Sequence, residues 1–129
     1  MNTILVEVSV GELLDKISIL EIKKEKINDS EKLKFINNEY EVLKDQLDKN
    51  VKSDEKIDKL FQSLKEINTK LWVIEDDKRL CEKNSDFSEK FIKLSRDVHF
   101  LNDDRAKIKL EINHHTGSKI KEIKKYTTY

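Results

Sequence analysis

Two long amphipathic segments of this sequence direct ionisable and amide side chains toward the face that their apolar residues define as the interior. The first segment includes EINTKLWVIEDDKRL, residues 66–80, and the second includes FIKLSRDVHFLNDDRAKIKLEIN, residues 91–113. With a helical rotation of about 100° per residue, each segment places three polar side chains in or beside its apolar stripe. These residues are Asn68, Glu75, Arg79, Asn102, Arg105 and Lys109.

The polar side chains fit more than one arrangement. Burying an unpaired ion costs several kcal/mol and burying an unpaired amide costs ~1–3 kcal/mol, so the groups need partners, water or a cavity. They can form a structural network in which amides fix helix register and a Glu–Arg pair satisfies itself. Alternatively, Arg79, Arg105 and Lys109 bind an anion in a cleft, with Glu75 as a general base or hydrogen-bond acceptor. If the two helices pair in a different register, the same groups are simply exposed to solvent.

Other residues that could do chemistry give weaker patterns. Glu12 and Asp15 are three apart, a spacing that can hold a divalent cation on a helix. The repeated acidic pairs of all-α nucleotide pyrophosphohydrolases are absent, however. His114 and His115 are adjacent and point about 100° apart on a helix, so they do not suit one zinc ion. Cys81 has no His nearby in sequence and is expected to be packed. We therefore predict no metal site and no cofactor.

Composition indicates one helical domain over residues 1–129. Charged residues make up 40% and hydrophobic residues 36%, with 2 Gly and no Pro, and the apolar residues recur with a helical period. The formal net charge is zero, so no nucleic-acid partner is expected. One cysteine excludes an intramolecular disulfide. The start, MNTILVEVSVGELLDK, lacks a signal-peptide pattern, and no apolar stretch approaches the ~20 residues of a membrane span. The expected location is cytoplasmic.

Clusters of Asn, Asp and Ser divide the chain into four predicted helices, at about residues 10–28, 30–49, 54–83 and 86–115. Residues 1–9 alternate apolar and polar side chains and are predicted to form a short strand or an extended arm. Residues 117–129 form a basic tail, with four lysines against one glutamate between 119 and 125. The tail is either an arm for nucleic acid or lipid headgroups or a solvated terminus.

The predicted architecture is all-α, with two antiparallel αα-hairpins at 10–49 and 54–115. The second helix carries a coiled-coil seam, formed by Leu33, Ile36, Tyr40, Leu43 and Leu47. The two later helices, ~45 Å long at 1.5 Å per residue, overhang the earlier pair unless another chain covers the excess. We therefore expect a homodimer.

Three segments together resemble a known family: EVSVGELLDKISILEIK at 7–23, INTKLWVIEDDKR at 67–79, and the segment 91–113 quoted above. They resemble a family of short, uncharacterised helical proteins from bacteria, phages and marine metagenomes, some encoded near glycosyltransferase or surface-polysaccharide genes. The resemblance covers nearly the whole chain and implies no established activity. Its signature falls on Glu7, Gly11, Glu12, Asp15, Lys16, Asn68, Trp72, Glu75, Asp76, Arg79, Arg96, Asn102, Asp103, Arg105, Lys109 and Asn113.

The function is thus unknown from sequence, and two hypotheses remain. The first is a non-catalytic, homo-oligomeric interaction or accessory module with a possible protein partner; a link to polysaccharide synthesis is implied by the resemblance alone. The second is a small binding protein or enzyme that acts on a phosphorylated or carboxylated ligand in an interhelical Glu/Arg/Lys cleft. An open cavity lined by the polar residues favours the second hypothesis, and a dry, fully paired network favours the first.

Overall fold

Four helices make up the regular secondary structure of the protein in a computed structural model that describes residues 2–120 and 123–129. They are α1 (Val10–Lys26), α2 (Ser30–Asn50), α3 (Glu55–Lys83) and α4 (Glu89–Thr116). Helices α1 and α2 pack as one hairpin, and α3 and α4 pack as a second. The prediction of an all-α fold with four helices is confirmed.

Short polar side chains start the first three helices, as expected. Ser9 Oγ accepts a hydrogen bond from the backbone N–H of Glu12 at 3.0 Å, and Asp54 Oδ1 accepts one from that of Ile57 at 2.8 Å. Asp29 caps α2 in the same way. Each cap satisfies a first-turn N–H that has no partner inside the helix.

The start of α4 differs from the predicted position. The helix begins at Glu89 rather than near residue 86. Asp86 instead completes the turn after α3, because its N–H donates to the carbonyl of Cys81 at 2.8 Å and its carboxylate accepts from the N–H of Ser88 at 3.1 Å. Helix α1 also ends early, at Lys26, since the backbone of Ile27 is extended.

Residues 2–9 form no strand, so that alternative for the N-terminal segment is wrong. Ile4, Leu5 and Val6 are largely exposed, whereas Ser9, at the entry to α1, is buried. A single strand without a hydrogen-bonded neighbour is not stable in water, which accounts for its absence from a lone chain.

Helix α1 lies at the centre of the fold. It packs against each of the other three described helices. A core cluster of Leu14, Ile57, Leu64 and Ile112 joins α1 to the first half of α3 and the second half of α4. Lys65 of α3 also donates to Glu21 and Glu25 of α1, at 3.1 and 2.8 Å.

The two hairpins differ in length. Helices α1 and α2 have 17 and 21 residues, whereas α3 and α4 have 29 and 28. At 1.5 Å per residue the helices of the second hairpin are about 10–18 Å longer than those of the first. We call residues 69–108 the distal half of the second hairpin. All of its residues are described, and Cys81 alone among the apolar and polar side chains there is buried.

Candidate functional site: a buried polar network and an adjoining groove

The Asp15 carboxylate is the centre of a polar network between α1, α3 and α4. The residue is 1% exposed. Arg105 donates through Nε to Oδ1 at 3.0 Å and through Nη2 to Oδ2, which makes the pair bidentate. Asn68 Nδ2 donates to Oδ1 at 2.8 Å, and Lys109 Nζ lies 3.8 Å from Oδ2. One carboxylate thus joins side chains from two other helices.

A second layer holds the amide of Asn68 in place. Its Nδ2 also donates to Ser18 Oγ at 2.8 Å, and Ser18 Oγ donates to the carbonyl of Asp15 at 2.7 Å. Asp15, Ser18 and Asn68 are all buried. The two amide hydrogens of Asn68 therefore have acceptors on α1, which fixes the position of α3 relative to α1.

The environment of Asp15 favours its ionised form. Burial opposes ionisation and alone would raise the pKa of this carboxyl group. The hydrogen bonds from Arg105 and Asn68, with the positive charges of Arg105 and Lys109, outweigh burial and hold the pKa below its ordinary value of 3.8. The carboxylate is consequently an anion that its cationic neighbours require, rather than a poised general base.

Contacts at the N-terminal end of α1 extend the network along α4. Lys109 Nζ donates to Glu12 Oε2 at 2.7 Å, and the backbone N–H of Gly11 donates to Asn113 Oδ1 at 2.7 Å. A Cβ atom on Gly11 would lie 2.6 Å from the carbonyl oxygen of Lys109. Glycine at this position therefore lets the backbones of α1 and α4 approach closely. We call Glu12, Asp15, Ser18, Asn68, Arg105 and Lys109 the Asp15 network.

The six residues singled out from the sequence do not share one environment. Asn68 and Lys109 are buried members of the Asp15 network, and half-buried Arg105 donates through Nη1 to Oδ1 of half-buried Asn102 at 3.4 Å. Glu75 and Arg79 are exposed, so the expectation that they face the interior is wrong. The physical reason is that α1 lies beside this part of α3 through Ile19 and Ile22 but leaves an open groove there.

Glu75 and Arg79 instead border a groove of about 340 Å³ beside the network. Its other lining residues are Ile19, Ile22, Asn68, Leu71, Trp72, Asp76 and Arg105. The groove therefore combines apolar side chains of α1 and α3 with charged groups of both signs. Four of the six predicted residues line it, whereas Asn102 and Lys109 do not.

Sequence reasoning missed Asp15 and Ser18 as members of the network. The sequence presented Asp15 as a cation ligand and, through the family resemblance, as a signature residue, with no partner on another helix. Yet Asp15, Ser18 and Ile22 follow the i, i+3, i+7 spacing of one helical face, so the signal was present. Asp15 and Glu12 are each paired with a basic side chain, and no group of three or more potential metal ligands occurs among the residues that the structure describes.

Part of the C-terminal tail lies against α4. The Tyr129 ring stacks on His99, with centroids 5.0 Å apart, and packs edge-on against Phe100. Its hydroxyl donates to Asp103, and this bond to a carboxylate raises the pKa of Tyr129 to about 12. Residues 121 and 122 of the basic tail lie outside the described residues. None of the described helices has the length and apolar character that crossing a membrane requires.

Comparison with known proteins gives a family and no activity. No curated protein and no solved structure matches the chain. A model for a family of unknown function, DUF6165, matches residues 4–129. That match includes the Asp15 network, the groove and the whole of both hairpins. The chain therefore belongs to the family of unknown function DUF6165.

Proposed function

We propose that this protein is a non-catalytic interaction module that acts as a homodimer. The observation that carries the proposal is the distal half of the second hairpin, where Cys81 alone is buried. This half contains many apolar side chains, among them Trp72, Val73, Phe91, Phe100 and Leu101. Two helices can bury one shared seam between them, so the remaining apolar surface calls for another protein surface.

The Asp15 network supports a structural role for the buried polar residues. No buried side-chain nitrogen or oxygen in the described part of the chain lacks a hydrogen-bond partner. A network with every buried group satisfied fixes register, and it leaves no unmet group for a substrate to satisfy. In this proposal it holds α1 across the second hairpin and thereby determines how far the distal half projects.

Sedimentation equilibrium of the purified chain from ~1 µM to ~1 mM tests the proposal. A dimer predicts a mass that rises toward twice 15.3 kDa with concentration. The apolar contact should also persist at 0.5 M salt, because burial of apolar surface is not screened as ion pairs are. A mass that stays at one chain throughout would refute the homodimer.

A second candidate function is binding of a phosphorylated or carboxylated small molecule in the groove. The observation in its favour is that Asn68, Glu75, Arg79 and Arg105 line one open groove of about 340 Å³. This volume falls within the ~300–1,000 Å³ of small-molecule sites. Arg79 supplies a guanidinium at the rim, and Asp15 holds that of Arg105 in a fixed orientation.

Trp72, the one tryptophan of the chain, reports on this groove. Titration with inorganic phosphate, simple dicarboxylates and sugar phosphates should change its fluorescence and raise the melting temperature. Arg79→Gln should weaken the response at least tenfold, whereas Arg96→Gln, an exposed arginine of α4 outside the groove, should not. An equal loss in both variants would indicate general charge screening and exclude the groove as the site.

The biological setting we propose rests on sequence alone. The single cysteine fits a reducing compartment, which favours the cytoplasm. The resemblance described above favours an accessory role beside surface-polysaccharide synthesis, with a protein partner. Co-purification with a glycosyltransferase of surface-polysaccharide synthesis, lost on deletion of the α3–α4 turn, would support that role. Absence of such a partner, or its retention by the deletion variant, would argue against it.

A further inference from the structure

A patch of exposed apolar side chains lies on the face of the second hairpin that points away from α1. Val73, Leu80 and Phe100 are 45%, 50% and 42% exposed. Val73 follows Leu64 by nine residues, which places the two side chains on opposite sides of α3. Leu64 is fully buried in the core that includes α1. We call Val73, Ile74, Leu80, Phe100 and Leu101 the distal patch.

The distal patch is confined to the distal half of the second hairpin, residues 69–108. On α3, Lys59, Glu66, Val73 and Leu80 are seven residues apart and share one face, which changes from charged to apolar after Glu66. On α4, Phe100 precedes the exposed Lys107 by the same spacing. One continuous face of the second hairpin is therefore charged near the core and apolar in the distal half.

We infer that the distal patch is the surface through which a second copy of this chain docks, an assignment that rests on the proposed homodimer and specifies its contact face. Val73, Ile74, Phe100 and Leu101 line a groove of about 510 Å³ between α3 and α4. A symmetric dimer uses the same patch on both copies, so the patch has to complement itself.

The charges at the edge of this groove meet that condition. Lys70 of α3 and Asp97 of α4 also line it. Lys70 is about 22 Å along α3 from its start, and Asp97 is about 28 Å along α4 from its end, so the two residues are offset by about one helical turn, which a lysine side chain can span. A two-fold axis through the patch, with α3 against the partner's α4, gives two Lys70–Asp97 contacts. Asp97 also accepts from Lys93 at 2.7 Å within α4.

The area of the whole outward face of the distal half, of which the patch is the apolar part, predicts a weak, reversible dimer. From residue 69 to the end of α3 is about 22 Å, and two helices side by side are about 20 Å wide. Two such surfaces bury roughly 900 Å², close to the ~1,000–1,200 Å² at which specific interfaces begin. Dimerisation should therefore depend on concentration in the micromolar range.

Sedimentation velocity of the full chain and four single variants tests the patch. Val73→Asp and Phe100→Asp should each raise the dimer dissociation constant at least tenfold. Val42→Asp and Phe35→Asp are matched controls, because these α2 residues are 55% and 79% exposed and lie outside the patch. They should leave the constant within twofold of the original. Far-UV circular dichroism checks that all four variants remain helical.

The outcomes separate the patch from the homodimer itself. A dimer that survives both patch variants places the contact elsewhere and overturns the inference while the homodimer stands. An equal weakening of the dimer in the two α2 control variants also overturns the inference. A chain that is monomeric throughout removes both proposals.

Exchanging the charges at positions 70 and 97 tests whether α3 faces the partner's α4 in the dimer. K70E and D97K should each weaken the dimer several-fold, and an equimolar mixture of the two variants should recover it, because each contact then joins opposite charges. A mixture that remains as weak as its components overturns the facing of α3 against the partner's α4.

Discussion

Replacing Asp15 by Asn should destabilise the protein more than almost any other change of a single charge. The substitution keeps the size of the side chain and removes the anion between Arg105 and Lys109. These cations lie within hydrogen-bonding distance and at 3.8 Å of the carboxylate, respectively. The folded state would then hold the Arg105 guanidinium beside a neutral amide, whereas Lys109 would keep its ion pair with Glu12.

The expected loss follows from the burial of the partners. Breaking a buried ion pair by removing one member costs about 3–5 kcal/mol. The Arg105 side chain is 28% exposed and can regain some hydration, so we expect the lower end, about 3 kcal/mol. For a domain of this size that corresponds to a melting temperature roughly 10 °C lower.

Urea denaturation followed by circular dichroism at fixed protein concentration measures the change. Asp45→Asn is the matched control, since Asp45 forms an exposed i, i+4 pair with Lys49 at 2.9 Å. Exposed pairs contribute ~0–1 kcal/mol, so this variant should resemble the original protein. In the double variant Asp15→Asn/Arg105→Gln, the decrease in the free energy of unfolding should be at least ~1 kcal/mol smaller than the sum of the decreases in the two single variants.

Two results would refute this account of the network. One is an Asp15→Asn loss no larger than that of Asp45→Asn. The other is strict additivity in the double variant, which would mean that Asp15 and Arg105 do not interact in solution.

Acid should remove the contribution of Asp15. Because the folded pKa lies below 3.8, the unfolded chain takes up a proton at Asp15 more readily than the folded protein does. The stabilisation is complete above about pH 5 and is lost as the pH falls through the folded pKa. The stability difference between pH 7 and pH 3.5 should be larger for the original protein than for Asp15→Asn. Equal differences would show that Asp15 does not titrate with folding.

Three further predictions, two on glycine positions and one on a helix cap, can be checked by the same denaturation assay. Gly11→Ala should lower the free energy of unfolding by about 1–3 kcal/mol despite the higher helix propensity of alanine, because its Cβ would lie 2.6 Å from the Lys109 carbonyl oxygen. Lys16→Ala, at an exposed position of the same helix, is the control. Stabilisation by Gly11→Ala would contradict the close approach of the two backbones. Gly117→Ala should lower the free energy of unfolding by about 1–2 kcal/mol, because the backbone there has a φ of 66°. Asn tolerates this conformation better, so Gly117→Asn should have a smaller effect. Equal effects of the two variants would exclude the backbone conformation as the cause. Ser9→Ala should cost about 1 kcal/mol through loss of the α1 cap, whereas Ser9→Thr should keep most of the stability.

Local signals in the sequence were sufficient to predict the four helices. The apolar period identifies each helix, and Ser9, Asp29 and Asp54 mark the starts of the first three. The start of α4 was misplaced because Asp86 can cap a turn as readily as a helix, and its neighbours along the chain do not decide between them.

The helical period also predicted inward positions for Asn68 and Lys109, since a stripe is a property of one helix. It did not identify Asp15 as their common partner. Asp15 is 53 residues from Asn68 and 90 from Arg105 in sequence. Which side chains meet over such separations depends on where α1 crosses the second hairpin.

The exposure of Glu75 and Arg79 was decided by tertiary structure alone. Their positions on the apolar stripe of α3 are those of interior residues, but a stripe is buried only where another helix covers it. Helix α1 ends after 17 residues, and α3 continues for 29. The sequence by itself determined which face of each helix is apolar. The relative lengths and crossing of the helices determined which parts of those faces are covered. Burial requires a second surface in contact with the first, and the apolar period of one helix does not specify where that second surface lies.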